Sequence, residues 1–257
     1  MRVSTSGPDS VLDDVVAALA AARAVVVLTG AGVSAESGVP TFRDAQRGLW
    51  ADYDPEQLAT PAGFARDPAL VTRWYDERRV QCADVRPNPG HDALARLERY
   101  YAERGRAFVL LTQNVDRLHQ RAGSRQVVEL HGTLWVWRCI VCGHEREETG
   151  GPFGEYPPRC GCGGLRRPGV VWFGELLPEA ALARAWGALA ACDVFLSLGT
   201  SAVVEPAASF VDLARAASAR TVEINIEETP ITDRVDFALR GKTGELLPRI
   251  VDALCAR

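Results

Sequence analysis

Four runs of apolar residues stand out along the chain, at residues 24–30, 107–112, 193–199 and 221–226. An unbroken apolar run indicates a strand that is buried on both of its faces, as the strands of parallel sheets are. Between these runs, apolar residues recur at helical spacing over residues 91–104, 179–191 and 205–218. Strands that alternate with helices predict an α/β fold with a doubly wound parallel sheet.

Two stretches interrupt this alternation, and we interpret them as insertions. Residues 46–89 are irregular and helical in character, and residues 137–167 are dense in cysteine, glycine and proline. We therefore predict a large domain that is assembled from residues 1–45, 90–136 and 168–257. The insertions would form a smaller lobe, with a helical part at residues 46–89 and a zinc-binding part at residues 137–167.

The zinc prediction rests on four cysteines. Cys139 and Cys142 are spaced C-x2-C, and after a gap of 17 residues Cys160 and Cys162 are spaced C-x-C. Four thiolates satisfy tetrahedral Zn²⁺ at about 2.3 Å and leave no coordination position open for catalysis. The second pair is shorter than the usual spacing, and His144 could replace one thiolate. The isolated cysteines are interpreted as packed hydrophobic residues, namely Cys82, Cys192 and Cys255.

Composition narrows the possible partners and the compartment. The 257 residues carry a formal net charge of −4, and this lack of a basic surplus argues against nucleic acid or a membrane surface as a partner. No stretch approaches the roughly 20 apolar residues of a membrane span, and the N-terminal residues lack the apolar core of a secretory signal. The odd number of cysteines suits a reducing cytoplasm better than a disulfide framework. We therefore expect a cytoplasmic protein, and we expect it to be a monomer.

A glycine-rich loop follows the first apolar run. Residues 30–35 read GAGVSA, which matches the pattern GxGxxG/A directly after a strand. Such glycines let backbone amides approach a pyrophosphate, although a glycine-rich turn without a ligand has the same pattern. A dehydrogenase would continue with a helix and a second strand that ends in an acid about 20 residues on. Asp52 and Asp54 lie near that distance, but a proline and two more glycines interrupt the segment before them. The loop therefore predicts a dinucleotide site without the usual dehydrogenase continuation.

Polar residues follow two of the predicted strands. Gln113, Asn114 and Asp116 come directly after the second apolar run, and His131 follows the strand-like segment VVEL. The carboxyl ends of parallel strands open into the ligand crevice of an α/β sheet, so these residues are candidates for chemistry. Two interpretations of His131 stay open, a general base and a hydrogen-bonded structural residue. The other three residues could equally form a polar turn.

Taken together, these motifs resemble the sirtuin family of NAD-dependent protein deacylases. The matching segments occur in the family's order: GAGVSAESGVPTFRD at 30–44, TQNVD at 112–116, HG at 131–132, the four cysteines, VVWFGE at 170–175, GTS at 199–201 and NIE at 225–227. The match extends from about residue 25 to the C-terminus. The resemblance implies a Rossmann-like large domain and a small lobe with one structural Zn²⁺. In the cleft between them, the co-substrate NAD would meet acyl-lysine peptide segments of other proteins.

The resemblance also implies roles for individual residues. His131 and Asn114 would be catalytic. The residues implied to bind NAD are Gly30, Ala31, Gly32, Ser34, Phe42, Arg43, Asp44, Trp50, Gln113, Asn114, Val115, Asp116, Gly199, Thr200, Ser201, Asn225, Ile226, Glu227 and Lys242. Val171, Trp172 and Phe173 would present a strand edge to the substrate backbone by β-augmentation.

The family's reaction defines what these residues would do. The acyl oxygen of the modified lysine attacks the ribose carbon of NAD, and nicotinamide leaves. His131 would then act as general base on a ribose hydroxyl, which attacks the imidate before water completes the release. The products are free lysine, nicotinamide and O-acyl-ADP-ribose. Zinc takes no part in this chemistry and would hold the small lobe in shape.

A narrower resemblance concerns the acyl group. Tyr75 and Arg78 form the Y-x-x-R pattern of the sirtuin branch that removes acidic acyl groups, and Ala59 lies where that branch leaves room for a longer chain. A tyrosine hydroxyl and an arginine fork, three residues apart on a helix, suit a buried carboxylate. We therefore expect removal of succinyl, malonyl and acetyl groups. The competing interpretation places Arg78, which lies among Arg73 and Arg79, on a solvated helix face.

Three functions stay open at this point. The first is the acidic-acyl deacylase, or a plain deacetylase without that preference. The second is a mono-ADP-ribosyltransferase, in which an acceptor side chain replaces the acyl oxygen as nucleophile. The third is a catalytically silent module that binds NAD or peptide. Intact Asn114, Asp116 and His131 argue against the third, and the carboxylate clamp of Tyr75 and Arg78 argues against the second.

Overall fold

The structure is a computed structural model, and it describes residues 8–40 and 58–257. The α-helices of these residues are α1 Pro8–Ala21, α2 Ala31–Ala35, α3 Pro61–Arg66, α4 Pro68–Asp84, α5 Pro89–Glu103, α6 Leu118–Arg121, α7 Glu179–Leu189, α8 Phe210–Ala216 and α9 Thr243–Cys255. The strands are β1 Ala24–Thr29, β2 Ala107–Thr112, β3 Val127–Glu129, β4 Gly132–Cys139, β5 Glu145–Glu147, β6 Arg166–Val170, β7 Val194–Leu198, β8 Arg220–Asn225 and β9 Phe237–Arg240. No helix in the described ranges is long and apolar enough to cross a bilayer.

The large sheet has six parallel strands in the order β3-β2-β1-β7-β8-β9. Along β1, Val25 and Val27 pack into one apolar core, whereas Val26 and Leu28 pack into a second core on the opposite face. Helices α1, α5 and α9 supply the first core, and α7 and α8 supply the second. Because both faces are covered, every position of the strand before Thr29 is apolar, and the predicted doubly wound α/β fold is confirmed.

The central strand β1 lies between β2 and β7, and the strand order reverses at this point. Chain connections on the two sides of such a switch point run to opposite faces of the sheet. A crevice therefore opens at the carboxyl ends of β1 and β7, where ligands of open α/β sheets bind. The glycine-rich loop begins in this crevice at Gly30, and the loop after β7 begins there at Gly199.

The small lobe contains an antiparallel sheet in the order β5-β4-β6. This sheet and helices α3 and α4 share a separate apolar core, which includes Trp74, Trp137 and Trp172. β4 runs across the predicted boundary between residues 136 and 137, and β6 runs across the boundary between 167 and 168. The division of the chain into domains stays a prediction.

Local sequence explains where the helices of the small lobe begin. Helices α3 and α4 both start with proline, and each is preceded by a capping side chain. The Thr60 hydroxyl accepts the Gly63 N–H at 3.0 Å, and the Asp67 carboxylate accepts the Leu70 N–H at 2.9 Å. In the large domain, the predicted helix at residues 205–218 is instead a 3₁₀ turn followed by the short helix α8.

Gly132 begins β4 and is the basis of a stability prediction. Its φ is +71°, and a Cβ at this position would lie 2.0 Å from the carbonyl oxygen of Gly169 on β6. We expect Gly132→Ala to lower the free energy of unfolding by about 2–5 kcal/mol, because a backbone clash adds to the cost of a left-handed residue. Urea denaturation followed by circular dichroism measures this change.

Gly105 is a matched control for this substitution. Its φ is +62°, and nothing lies within 4 Å of where its Cβ would be. Gly105→Ala therefore carries only the conformational penalty, which is about 1–2 kcal/mol. Equal losses in the two variants would mean that the contact between Gly132 and Gly169 contributes nothing.

Candidate active site

The glycine-rich loop after β1 packs directly against the loop after β7. The Gly30 N–H donates to the Leu198 carbonyl at 3.1 Å, and the Gly32 N–H donates to the Gly199 carbonyl at 2.8 Å. A Cβ on Gly30 would lie 2.7 Å from Thr200, and a Cβ on Gly32 would lie 2.7 Å from the Gly199 oxygen. Glycine is therefore required at both positions by the contact between the loops. The approach of these glycines to a pyrophosphate stays a prediction.

The segment after β2 bridges both of these loops. The buried Asn114 side chain donates from Nδ2 to the Gly30 carbonyl at 3.0 Å and to the Ser34 hydroxyl at 2.9 Å. The Gln113 side chain donates to the Thr200 hydroxyl at 2.9 Å. The fold thus brings residues of three separate sequence motifs into one crevice, and it holds the amide groups of Asn114 and Gln113 in fixed orientations.

Asp116 is buried next to this segment, with only 4% of its surface exposed. Its carboxylate accepts the N–H of Leu118 at 2.8 Å. Burial raises the pKa of Asp116 above its ordinary value, and hydrogen bonds from Leu118 and Ser34 oppose this shift. Val115 precedes it, and the Val115 carbonyl accepts the Leu134 N–H of β4 at 3.0 Å. A buried carboxyl group with a perturbed pKa in a crevice is typical of functional sites.

The other wall of the crevice is formed by the ends of β7 and β8. The Asn225 side chain donates to the Thr200 carbonyl at 2.8 Å, and the Gly241 N–H donates to the Asn225 carbonyl at 3.0 Å. Lys242 follows at the start of α9, and its ammonium lies 3.6 Å from the Glu245 carboxylate on the surface. The remaining predicted NAD-binding residues of the described ranges are exposed, namely Ala31, Ser201, Ile226 and Glu227. Four others lie outside the described residues, namely Phe42, Arg43, Asp44 and Trp50.

His131 lies after β3, at the rim of the same crevice. Its Nδ1 lies 3.1 Å from the Gln113 carbonyl oxygen, which can only accept a hydrogen bond. Nδ1 therefore carries the proton, and Nε2 keeps a lone pair. Burial lowers the pKa of His131, and the hydrogen bond to Gln113 opposes this shift. A neutral imidazole with an accepting Nε2 is the form that a general base requires.

A chain of buried hydroxyl groups supports the backbone of Asn114, and the sequence patterns did not reveal it. The Thr29 hydroxyl donates to the Thr112 hydroxyl at 2.8 Å, and the Thr112 hydroxyl accepts the Asn114 N–H at 3.1 Å. The Nε2 atom of His119 lies 2.9 Å from the Thr29 hydroxyl, and the His91 ring packs against His119. Burial lowers the pKa of both histidines, to about 4 for His91. The only sequence signal was a threonine at the end of each of two neighbouring strands.

The four predicted zinc ligands converge in the small lobe. Their Sγ atoms all lie within 4.8 Å of one another. Cys162 Sγ lies 3.5 Å from the Sγ atoms of Cys139 and Cys142, and Cys142 Sγ lies 3.8 Å from that of Cys160. Four Zn–S bonds of about 2.3 Å in a tetrahedron require sulfurs about 3.8 Å apart, so the cluster fits one zinc ion. The cluster does not include His144.

Of the predicted acyl-binding residues, Ala59 and Tyr75 belong to the apolar core of the small lobe, and Arg78 lies beside it. Ala59 and Tyr75 are buried, and the Arg78 guanidinium lies 4.8 Å from the centre of the Trp74 ring. Burial raises the pKa of Tyr75, an effect that the charge of Arg78 opposes, and burial lowers the pKa of Arg78. Within the described ranges, no carboxylate forms an ion pair with Arg78.

The three arginines of α4 have different environments. Arg79 is fully buried, and its guanidinium bonds to the Asp76 carboxylate at 2.7 Å and to three backbone carbonyls of residues 148–151. Arg73 is exposed, and its guanidinium lies 5.3 Å from the centre of the Tyr156 ring. Arg78 is half-buried beside Trp74, and its positive charge lowers the pKa of Tyr75. Arg78 therefore does not lie on a solvated face of the helix.

Residues 171–173 follow β6 and lie between His131 and the acyl-binding residues. Their N–H groups are already bonded within the chain, each at 2.9 Å: Val171 to the His131 carbonyl, Trp172 to the Glu175 carboxylate and Phe173 to the Ala59 carbonyl. The segment therefore ties the predicted general base to the acyl-binding side of the small lobe. β-Augmentation by a substrate peptide stays a prediction, and it would use the carbonyl groups of this segment.

Comparison with known proteins places the whole site in one family. The model of the Sir2 family matches residues 30–206. Among curated proteins, the NAD-dependent protein deacylase 2 of Pyrobaculum aerophilum is 53% identical over 240 residues, which cover 93% of this chain and 94% of that protein.

Solved structures agree with this assignment. A crystal structure of a Sir2 homolog–NAD complex superposes with a TM-score of 0.90 at 46% identity and covers 95% of this chain and 94% of its own. A Sir2 protein bound to an acetylated peptide superposes with a TM-score of 0.81 at 30% identity and covers 94% of this chain and 97% of its own. The relatives therefore extend over nearly the full length of the chain, with both lobes included.

Proposed function

The chain belongs to the Sir2 family and is an NAD-dependent protein deacylase, and on that premise we propose that it prefers acyl-lysines whose acyl group ends in a carboxylate. Succinyl-lysine and malonyl-lysine are the substrates that this chemistry suggests. The observation that carries the proposal is the half-buried Arg78, whose guanidinium has no carboxylate partner within the described ranges.

The buried Asp116 carboxyl acts on the Arg78 guanidinium through its charge but forms no ion pair with it, so a substrate carboxylate would be the group that pairs with Arg78 directly. Removing a charged group from water is unfavourable unless a partner compensates, and burial already lowers the pKa of Arg78. A carboxylate suits the guanidinium, because two parallel N–H groups can donate to its two oxygens. The Tyr75 hydroxyl would add one further donor, and the small side chain of Ala59 would leave space for an acyl chain longer than acetyl.

The residues of the crevice would carry out the deacylation itself. The chemistry that bound NAD supplies is a ribose carbon that accepts the acyl oxygen and a nicotinamide group that leaves. Nε2 of His131 would accept the proton of a ribose hydroxyl, while the hydrogen bond from Nδ1 to the Gln113 carbonyl keeps the ring in the required tautomer. Asn114 and Asp116 are buried, and so they would act on the substrate from fixed positions in a medium of low dielectric constant.

Arg78→Met tests the acyl preference. The substitution keeps the length of the side chain and removes its charge and its paired donors. Hydrogen bonds to charged groups contribute about 1.5–3 kcal/mol each, so we expect kcat/KM for a succinyl-lysine peptide to fall by about 10- to 1,000-fold. The ratio of kcat/KM for succinyl-lysine to that for acetyl-lysine, measured on one peptide sequence, should fall with it.

Arg73→Met is a matched control on the same helix, because Arg73 is exposed. It should change the ratio of the two activities by less than about twofold. A wild-type enzyme that prefers acetyl-lysine by a wide margin would contradict the proposal, and so would equal losses on both substrates in Arg78→Met. Mass spectrometry of the peptide after reaction with NAD separates deacylation, which removes the acyl mass, from transfer of ADP-ribose, which adds mass.

A further inference from the structure

Trp172 has a buried hydrogen-bond donor that its surroundings do not satisfy. Its side chain is 2% exposed, and its indole Nε1 has no hydrogen-bond partner. Buried polar atoms in native proteins are nearly always paired, and an unpaired buried donor costs about 1–3 kcal/mol. Nothing in the deacylation chemistry described above uses this atom.

The indole ring is held too firmly to turn toward an acceptor elsewhere. The Arg167 guanidinium lies 3.3 Å from the centre of the indole ring. Glu175 holds this guanidinium through both carboxylate oxygens, at 2.5 and 2.9 Å, and one of those oxygens also accepts the Trp172 N–H of the backbone at 2.9 Å. The Phe64 ring packs against the indole with 5.4 Å between ring centres. The orientation of Nε1 is therefore set by the fold.

The unpaired N–H lies on the side of the acyl-binding residues. The rings of Trp172 and Tyr75 have centres 6.2 Å apart, and the indole N–H lowers the pKa of Tyr75 as a weak hydrogen-bond donor to its hydroxyl. This contact lacks the distance and angle of a full hydrogen bond, so Nε1 has no partner of normal geometry. Arg78 acts on the same tyrosine hydroxyl. Arg167 and Glu175 also act on this hydroxyl, but Glu175 already accepts from Arg167 and from the Trp172 backbone N–H. The Arg78 guanidinium and the Trp172 Nε1–H, two groups that can only donate, therefore lie near one hydroxyl.

An excess of donors around one point indicates a ligand that only accepts hydrogen bonds. A carboxylate offers two oxygens with about four lone pairs, whereas a methyl group offers none. Two carboxyl groups of the described ranges act on this cluster through their charges, Asp116 on Arg78 and Glu175 on Tyr75. Neither forms an ion pair with Arg78, and neither accepts a hydrogen bond from Trp172 Nε1.

We propose that Trp172 is a specificity-determining residue, and that its Nε1–H donates a hydrogen bond to the terminal carboxylate of an acidic acyl group beside the bonds from Arg78 and Tyr75. The inference rests on the proposed acidic-acyl preference and deepens it. Phenylalanine at the same position would keep an aromatic ring under Arg167 but would lack the donor.

Trp172→Phe tests this assignment with three acyl groups on one peptide. The probes are succinyl-lysine, its neutral carboxamide analogue succinamoyl-lysine, and acetyl-lysine. Loss of a hydrogen bond to a carboxylate should lower the kcat/KM ratio of succinyl- to acetyl-lysine by about 10- to 100-fold. The ratio of succinamoyl- to acetyl-lysine should fall by less than about threefold, because bonds to neutral acceptors are weaker. A general packing defect would lower all three activities together and leave both ratios unchanged.

A second variant at position 172 tests the proposal even if Trp172→Phe does not fold. Site-specific incorporation of 3-benzothienylalanine at position 172 keeps the size of the bicyclic ring and replaces the N–H with sulfur. The same fall in the succinyl ratio is expected. If Arg78→Met lowers the succinyl ratio but both variants at position 172 keep it within twofold, the role of Trp172 is wrong and the acidic-acyl preference stands. If the wild-type enzyme has no acidic-acyl preference, both proposals are wrong.

Discussion

His131→Ala should lower the rate of deacylation by about 10²- to 10⁴-fold, which is the usual contribution of a general base. The expectation rests on the hydrogen bond between Nδ1 and the Gln113 carbonyl, which leaves Nε2 as the proton acceptor at the rim of the crevice. Alanine at position 131 removes that acceptor but leaves the loops of the crevice in contact, because their hydrogen bonds do not involve the imidazole. Calorimetric titration should therefore still detect binding of NAD and of the acyl peptide.

The pH dependence of kcat/KM gives an independent check on His131. Burial lowers the pKa of this histidine, so the neutral form persists to lower pH than for an exposed histidine. The acidic limb of the wild-type profile should accordingly lie below the ordinary histidine pKa of about 6.5. The residual activity of His131→Ala should lack that limb. If His131→Ala keeps an unchanged fold and more than about a tenth of the wild-type rate, His131 is not the general base.

Features that depend on local pattern could be predicted from the sequence. The strands β1, β2, β7 and β8 follow from runs rich in apolar residues, since burial on both faces favours apolar side chains. The convergence of the four cysteines follows from their spacing, because glycine-rich turns bring such pairs close to one metal. The placement of Asn114 and His131 at one crevice follows from a general property of parallel sheets, whose carboxyl ends lie at the same edge.

Features that depend on long-range contacts could not be predicted in this way. The sequence presents Gly30 and Gly32 as a phosphate loop, yet a tight contact with Gly199 and Thr200 already requires glycine at both positions. The environment of Arg78 differs from that of Arg79 because the neighbouring loop supplies three carbonyls to one guanidinium and none to the other. Neither fact is encoded in spacing along the chain, since each partner lies far away in sequence.

Loss of zinc should have the largest effect on this protein. Residues 140–164 have little apolar core: Ile140 and Val141 are 52% and 71% exposed, and every residue of β5 is exposed. Metal coordination would therefore supply most of the stability of this segment, and structural zinc sites contribute about 10–16 kcal/mol of apparent binding free energy in small peptides. Cys160→Ser should lose the metal, aggregate or unfold locally, and lose deacylase activity. Elemental analysis of the wild-type protein should find about one zinc per chain.

We expect the loss of activity because two strands connect the cysteine cluster to the active site. β4 begins at Gly132, next to the predicted general base His131, and ends at the predicted zinc ligand Cys139. Its partner strand β6 continues into Val171, whose N–H donates to the His131 carbonyl at 2.9 Å. Disorder at the zinc end would loosen both strands and thereby the position of His131. Cys255→Ser is the matched control, because this exposed cysteine lies on α9 outside the cluster and should keep zinc and activity. A metal-free preparation of Cys160→Ser with full activity would show that the four cysteines are not a structural zinc site.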